Sequence, residues 1–396
     1  MQPGLALCIS FTPAAPAALM ESTHMSFKAA LLAAAALTGP TLVNLALTNP
    51  ALAQAAAPLP ASLPTPAESS NTLGRATPDM RRVLVKLLAL GAKPLGSLSV
   101  AETRAGPSPA DAVKAVLKDQ GKDPAALAAA SGVTKKDMTY PGAAGPQAIR
   151  IYTPTHTSGA LPLIVYIHGG GWVIADLDTY DSSPIALARK TGAIVASVEY
   201  RHAPENRFPA AHEDTFAAYK WALANAASFG ADPARVAIAG ESVGGNMAIN
   251  VAIRARDEHV QAPRRMLLVY PVAGTDLSTP SYQKNEHAIP LSKPAMEWFI
   301  KNTIQSPADL KDPRLDVIGQ ANLKGLPPAT IINAEIDPLA SDGDRLAAKL
   351  KAAGVQVTHK QYPGVTHEFF GMDAAVKEAA EAQDLAAKDL RAALLK

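Results

Sequence analysis

Short apolar runs alternate with amphipathic stretches along most of the chain. The apolar runs are typical of buried strands, and the stretches between them repeat their apolar positions every three or four residues, as helices do. Strands are predicted at 148–152, 161–167, 193–198, 236–239, 266–270, 329–334 and 355–361, and helices at 108–117, 183–190, 208–227, 242–256, 343–352 and 374–395. This alternation predicts an α/β fold with a mostly parallel central sheet flanked by helices.

The strand–helix rhythm is absent from two segments that follow residue 77. Residues 78–134 contain amphipathic helices but precede the regular alternation, which predicts an N-terminal helical region. Residues 272–325 are rich in Pro, Ser and Asn, and they indicate an insertion over one edge of the sheet. The α/β domain itself is assigned to residues 135–396.

The N-terminus has the layout of a secretory signal. Lys28 precedes an apolar run over 29–47, and the run is followed by Ala51-Leu52-Ala53. A positive charge, an apolar stretch and an Ala-x-Ala site predict a signal peptide over 1–53 that is cleaved after Ala53, so the mature protein is expected to be periplasmic or secreted. Met25 is an alternative translation start. A retained membrane anchor is the other interpretation, because the run approaches the ~20 residues that a bilayer requires.

Residues 54–77 connect this segment to the first amphipathic helix. They are rich in Ala, Pro and Ser. Such a composition buries too little apolar surface to offset the entropy of ordering, so a disordered linker is predicted.

Composition narrows the class of protein. The 396 residues are 48% hydrophobic and 18% charged, with a net charge of +2, which fits one large domain or two small ones. The low net charge makes nucleic acid a poor candidate partner. Cys8 is the single cysteine, so the chain has neither an internal disulfide framework nor a zinc site made of several thiolates. After cleavage at Ala53, no integral membrane span is expected.

One motif predicts a nucleophile. Gly240-Glu241-Ser242-Val243-Gly244 lies between the strand 236–239 and the helix that follows it. A Gly-x-Ser-x-Gly sequence in this context forms a tight turn that presents the serine at a helix N-terminus. Ser242 is therefore the candidate nucleophile.

A second glycine-rich segment, His168-Gly169-Gly170-Gly171-Trp172, directly follows the strand 161–167. Three glycines allow backbone N–H groups to approach a ligand closely. In acyl transfer such a loop supplies oxyanion donors together with the N–H after the nucleophile, here that of Val243. The alternative is a phosphate loop, but neither GxxxxGK[ST] nor GxGxxG is present. His168 is expected to support the loop rather than to act as a base.

A nucleophilic serine needs a base and an acid that orients it. Asp337 follows the strand 329–334, and His367 follows the next strand, which predicts that both lie at one edge of the sheet. Glu335 and Asp342 are alternative acids. His367-Glu368 does not begin an HExxH zinc motif, because position 371 is Gly. No metal or other cofactor is predicted from these patterns.

Together these motifs resemble the hormone-sensitive-lipase-like α/β-hydrolases, in their bacterial carboxylesterase branch. The resemblance covers about residues 135–395. It is carried by His168–Trp172, by Tyr200-Arg201-His202-Ala203-Pro204-Glu205 with Phe208-Pro209-Ala210-Ala211, by Gly240–Gly245, by Asp337-Pro338-Leu339 and by His367.

The resemblance implies Ser242 as nucleophile, His367 as base and Asp337 as its partner. It also implies an α/β-hydrolase fold, a small helical cap formed by the helices between 78 and 118 and by residues 281–303, and an oxyanion hole in which Gly170 and Gly171 are favoured over Gly169. Tyr200 and Arg201 resemble a structural motif at a strand end near the pocket. The chain departs from the family pattern with Glu241 for Asp, Val243 for Ala, His202 for Leu and Glu368 for Gly.

The sequence thus predicts a serine carboxylester hydrolase for small-molecule esters with short to medium acyl chains. Alternatives are an amidase or a longer-chain lipase on the same site, and a ligand-binding protein on an inactive scaffold. The sequence leaves the oligomeric state open, a homodimer included.

Overall fold

A computed structural model of the chain describes residues 66–155 and 157–395, with side chains from residue 71 on. The predicted signal peptide over 1–53, the alternative start at Met25 and the linker as far as residue 65 lie outside this part of the chain.

The described residues form one eight-stranded sheet in the order β1-β2-β4-β3-β5-β6-β7-β8. The strands are β1 (Val133–Gly142), β2 (Gly145–Pro154), β3 (Leu161–Ile167), β4 (Ile194–Val198), β5 (Ala231–Glu241), β6 (Met266–Val269), β7 (Ala329–Ile336) and β8 (Val357–Thr366). The strand β2 pairs antiparallel with β1 and with β4, and all the other neighbours are parallel. The prediction of a mostly parallel sheet is confirmed.

Helices cover both faces of the sheet. They are α1 (Pro66–Arg75), α2 (Pro78–Ala89), α3 (Val100–Ala105), α4 (Pro109–Asp119), α5 (Pro124–Ala129), α6 (Ser182–Thr191), α7 (Ala210–Asn225), α8 (Val243–Asp257), α9 (Pro280–Lys284), α10 (Lys293–Thr303), α11 (Val317–Gln320), α12 (Ala340–Ala352) and α13 (Lys377–Leu394). Alternate residues of the fully buried β3 join two apolar clusters, one with α7, α8 and α12 and the other with α6 and α13. This two-sided burial explains why the strand is apolar throughout.

The strand β1 is the main element that the apolar pattern did not predict. Most of its side chains are exposed, including Lys135, Lys136 and Asp137. An edge strand with one solvent-facing side gives no continuous apolar run. The α/β domain consequently begins at Val133, two residues before the predicted boundary.

The prediction of a disordered linker over 54–77 is wrong from Pro66 on, because α1 occupies Pro66–Arg75. Thr72 and Ala76 are buried, the guanidinium of Arg75 donates to the side chain of Asn285 at 2.8 Å, and the amide of Thr77 donates to the carbonyl of Gly364 at 2.8 Å. These contacts with distant parts of the chain stabilise a segment whose own composition is typical of disorder.

The N-terminal helices and the insertion supply the cap. The helix α2 buries Met80, Val83, Leu84 and Leu87, and its start is capped by the hydroxyl of Thr77. The helix α10 lies in the insertion and buries Met296 and Phe299. The cap therefore consists of short helices that pack over the carboxyl ends of the central strands, where ligands bind in α/β sheets.

Candidate active site

Ser242 occupies a strained turn between β5 and α8. Its φ is +57°, a region that residues with a Cβ rarely adopt. A Cβ on Gly240 would lie 2.1 Å from the carbonyl oxygen of Gly244, and one on Gly244 would lie 2.1 Å from that of Ile167. Both glycines are therefore required for the turn, which holds the hydroxyl of Ser242 at the start of α8.

Ser242, His367 and Asp337 form one hydrogen-bonded chain. The Nε2 of His367 is 3.0 Å from the Oγ of Ser242, and its Nδ1 is 2.7 Å from the Oδ2 of Asp337. Asp337 can only accept, so Nδ1 carries the hydrogen and the lone pair of Nε2 faces the serine hydroxyl. The other carboxylate oxygen of Asp337 accepts from the amide of Leu339 at 2.8 Å. This geometry suits removal of the serine proton by the imidazole.

Burial and charge act on the imidazole in opposite directions. Burial lowers the pKa of His367, whereas the carboxylates of Asp337 and Glu368 raise it, and the net pKa lies above its usual value. The positive charge that His367 would carry after accepting a proton is thus stabilised by its neighbours.

The two alternative acids have other partners. Glu335 accepts from the amide of Gly364 at 3.0 Å and pairs with Arg75 at 3.3 Å. Asp342 accepts from the amides of Ala273 at 2.9 Å and Gly274 at 3.0 Å. Of the three candidate acids, the structure brings Asp337 to the histidine.

The loop after β3 places backbone groups beside Ser242. Gly170 and Gly171 have φ values of +99° and +60°, and both line the same cavity as Ser242 and Val243. A Cβ on Gly170 would meet the carbonyl oxygen of Ile174 at 2.0 Å. The amide of Val243 is in the first turn of α8, where N–H groups have no partner inside the helix. These amides are available to hold negative charge.

Gly169, the third glycine of the loop, has a different environment. It is not among the residues that line the cavity, and a Cβ there would meet the hydroxyl of Tyr180 at 2.3 Å. Its carbonyl accepts from the hydroxyl of Tyr200 at 2.8 Å. Gly169 therefore permits close packing behind the loop, while Gly170 and Gly171 face the cavity.

His168 and Tyr200 support this loop from within the core. The Nδ1 of His168 donates to the carbonyl of Gly169 at 2.9 Å, and its ring stacks on Tyr200 with centroids 4.4 Å apart. The Nε2 of His168 is 3.2 Å from Glu199, a neighbour that the motifs did not single out. Burial lowers the pKa of His168, but the Glu199 carboxylate more than offsets this and raises it overall.

Trp172 and Arg201 occupy different environments in the structure. Trp172 is buried and lines the cavity. Arg201 instead pairs with the fully buried Asp214, with its Nε 2.7 Å from the carboxylate. The same carboxylate accepts from the amide of Ala143 at 2.8 Å, so this ion pair fastens the segment after β4 to α7 and the β1–β2 turn.

Glu241 lies buried beneath the nucleophile turn. Its carboxyl accepts from the hydroxyl of Tyr166 at 2.6 Å and from that of Tyr270. Burial raises its pKa to about 7. The ring of Tyr270 also lies against His367, with centroids 4.4 Å apart. The position of Tyr270 directly after β6 was the one sequence signal that could have identified it.

Glu368 stands beside the candidate base. Its backbone is left-handed, with a φ of +71°, and its Oε1 is 3.7 Å from the Nε2 of His367. The hydroxyl of Tyr180 donates to the same oxygen at 2.6 Å. Burial raises the pKa of Glu368, while the nearby imidazole opposes this shift. A second carboxyl therefore shares the environment of the nitrogen that faces Ser242.

A cavity of about 690 Å³ opens over these groups. Its floor includes Ser242, His367 and the two glycines, and both parts of the cap contribute to its walls. The apolar residues from the cap are Leu87, Leu88, Leu95, Ile289, Leu291, Met296 and Phe299. This size is within the ~300–1,000 Å³ range of small-molecule sites.

Within the residues that the structure describes, no helix is long and apolar enough to cross a bilayer.

The turn at Ser242, the hydrogen-bonded chain of Ser242, His367 and Asp337, and the glycine loop after β3 lie together on a mostly parallel sheet, an arrangement typical of hydrolases. A family model described as alpha/beta hydrolase fold matches residues 164–371. The chain belongs to this family, the hormone-sensitive-lipase-like α/β-hydrolases, and the predicted resemblance is confirmed.

Relatives named as ester hydrolases match much of the chain. The chain is 41% identical over 252 residues to a carboxylesterase, NlhH, of Mycobacterium tuberculosis, covering 62% of this chain and 78% of the relative. It is 34% identical over 270 residues to an ethyl acetate hydrolase of Pseudomonas putida, covering 67% and 83%. A solved hyperthermophilic esterase from Pyrobaculum calidifontis aligns with a TM-score of 0.70 at 33% identity, covering 80% of this chain and 98% of that one.

Proposed function

We propose that this carboxylester hydrolase cleaves short- to medium-acyl esters by way of a covalent intermediate on Ser242. Its class follows from the family and from relatives named as carboxylesterases and esterases. The observation that carries the mechanism is the hydrogen-bonded chain from Ser242 through His367 to Asp337 on the floor of a cavity.

The proposed reaction has two halves. The Oγ of Ser242 attacks the ester carbonyl while the Nε2 of His367 takes its proton, and the amides of Gly170, Gly171 and Val243 hold the oxyanion. The protonated His367 then gives its proton to the leaving alcohol as the C–O bond breaks. Water repeats these steps on the acyl-enzyme and releases the acid.

The cap supports the preference for shorter acyl chains. Phe299 packs directly on the oxyanion loop, because a Cβ on Gly171 would lie 2.1 Å from its ring. Met296 and Leu291 extend this apolar wall. A wall so close to the reacting carbonyl limits the depth available to the acyl group.

The test is hydrolysis of p-nitrophenyl esters from acetate to palmitate. We expect the highest kcat/KM at short to medium chains and a loss of activity in Ser242→Ala. Ser228→Ala, at an exposed serine that donates to the carbonyl of Asn225, is the matched control and should retain activity. Activity retained by Ser242→Ala would refute the mechanism, and an optimum at palmitate would refute the chain-length preference.

A fluorophosphonate probe separates an enzyme from an inactive scaffold. Labelling should occur on the wild type and be lost in Ser242→Ala. An amidase would be recognised by faster cleavage of anilides than of the matching esters.

Export is also proposed, from the signal-like segment over 1–53. N-terminal sequencing of the protein from culture medium or periplasm should find Gln54 first, and Ala51→Arg should block processing. A mature N-terminus well upstream of Gln54 would refute the cleavage after Ala53.

A further inference from the structure

Three side chains with metal-binding chemistry converge where β3 and β4 end side by side. His168 follows β3, and Glu199 and His202 follow β4. The Nε2 atoms of both histidines are 3.2 Å from the same carboxylate oxygen of Glu199. All three ligand atoms lie within 4.8 Å of one another.

The hydrogen bonds of His168 assign its tautomer. Its Nδ1 is 2.9 Å from the carbonyl oxygen of Gly169, which can only accept, so Nδ1 carries a hydrogen. The Nε2 of His168 then shares a proton with the carboxylate of Glu199 across 3.2 Å. A cation bound between these two atoms would take the place of that proton, because metal ligands bind in their deprotonated form.

His202 supplies a second, independent observation. Its Nε2 is buried and has no hydrogen-bond partner among the residues that the structure describes, although it lies close to the oxygen of Glu199. A buried nitrogen without a hydrogen bond is costly, and here it is directed into the cluster.

We propose that His168, Glu199 and His202 bind one Zn²⁺ ion. Zinc takes histidine nitrogens and carboxylate oxygens at about 2.0–2.2 Å in a tetrahedron, which separates ligand atoms by about 3.3 Å. Two of the three ligand separations, at 3.2 Å each, already match this value, and the two histidine nitrogens lie within 4.8 Å of each other. Three protein ligands leave the fourth position to water.

The surroundings also suit a metal ligand. A metal-bound histidine usually donates its other N–H to a carbonyl or carboxylate, as the Nδ1 of His168 does to Gly169. The side chains of Glu199 and His202 are each 19% exposed, which gives the ion access from solvent. The metal would join the loop that begins at His168 to the segment after β4.

The proposed zinc site does not depend on the proposed esterase mechanism, and it is tested without a substrate. After treatment with a chelator, the untagged protein is titrated with ZnCl₂ by calorimetry. We expect one Zn²⁺ per chain and a thermal midpoint that rises with zinc, because a ligand bound only by the folded state stabilises it. Co²⁺ should give the visible absorption of a tetrahedral complex.

Two variants and a control identify the ligands. His202→Leu and Glu199→Gln should each weaken zinc binding about a hundredfold, since loss of even a supporting partner costs 10–100-fold. Leu is the residue that the family resemblance gives for position 202, and circular dichroism verifies folding. His359→Leu removes a histidine that faces the single carboxylate of Asp344, and it should bind zinc as the wild type does. Absence of 1:1 binding, or equal effects of His202→Leu and His359→Leu, would overturn the proposal.

Discussion

The Nδ1 of His367 lies 2.7 Å from the Oδ2 of Asp337, and both side chains are buried. Replacing this carboxylate with an amide removes the negative charge and favours the wrong tautomer of the imidazole. Asp337→Asn should therefore lower kcat by about 10⁴, as the same change does in a serine protease. Stopped-flow or steady-state hydrolysis of p-nitrophenyl butyrate measures this loss.

Glu335→Gln is the matched control, because Glu335 lies near the end of β7, two residues before Asp337, but pairs with Arg75 and Gly364 instead. Its kcat should stay within about threefold of the wild type, the range of a surface change worth under ~1 kcal/mol. A larger loss of kcat for Glu335→Gln than for Asp337→Asn would show that Asp337 is not the acid that orients His367.

A methyl group at position 170 should disable the oxyanion loop. The Cβ of Gly170→Ala would meet the carbonyl of Ile174 at 2.0 Å, so the loop must move. Loss of one oxyanion donor costs about 10²–10³ in kcat, and we expect an effect of this size with little change in KM. Gly192→Ala is the control, since Gly192 also has a positive φ, +71°, but open space around it. It should lose about 1 kcal/mol of stability and retain kcat.

The wall formed by Phe299 should set the acyl-chain preference. Phe299→Ala removes the ring that packs on Gly171, and kcat/KM for decanoate relative to butyrate should rise about tenfold or more. The neighbouring Trp298→Ala removes an aromatic ring that packs on Gly96 and does not line the cavity. An equal shift in both variants would mean that general loosening of α10, rather than the cavity wall, changes the preference.

The strand pattern and the placement of the site motifs could be predicted because each depends on local sequence. A buried strand must be apolar, as β3 is, and the turn at Ser242 needs its glycines within a few positions. The strand β1 and the helix α1 could not be predicted, because the first is exposed and the second is stabilised by contacts of Arg75 with residues more than 200 positions away.

Contacts around the site could not be predicted either, because they join residues far apart in the sequence. The hydroxyl of Tyr180 meets Glu368 across 188 positions of the chain, and Tyr166 meets Glu241 across 75. His168 likewise meets Glu199 and His202 only because β3 and β4 are neighbours in the sheet. Such pairs depend on strand order, which leaves no fixed spacing in the sequence.

The carboxylate of Glu368 should shift the pH profile of the enzyme. It lies 3.7 Å from the Nε2 of His367, and its charge raises the pKa of that imidazole. The base must be neutral to accept a proton, so activity rises as pH passes upward through the pKa of His367. Glu368→Gln lowers this pKa and should move the acid limb of kcat/KM to lower pH. Asp344→Asn, beside His359, is the control and should leave the limb in place. A limb that moves upward in Glu368→Gln would contradict the assignment.

Glu241 should make the folded state less stable as pH rises. Burial raises its pKa from 4.5 to about 7, so the folded protein holds this proton over a window in which the unfolded chain releases it. The stabilising contribution is complete below pH 4.5 and is lost as pH rises through 7, a change of about 3 kcal/mol at 1.36 kcal/mol per unit.

Glu241→Gln removes this titration while its amide can still bond with Tyr166 and Tyr270. The free energy of unfolding is measured with urea at pH 4.5 and at pH 8. The value for the variant, relative to the wild type, should rise by about 3 kcal/mol from pH 4.5 to pH 8. Glu381→Gln, at an exposed position on α13, should track the wild type at both values. If Glu241→Gln instead becomes less stable relative to the wild type as pH rises, then the buried carboxyl is ionised in the folded protein and the tyrosine hydroxyls stabilise its charge.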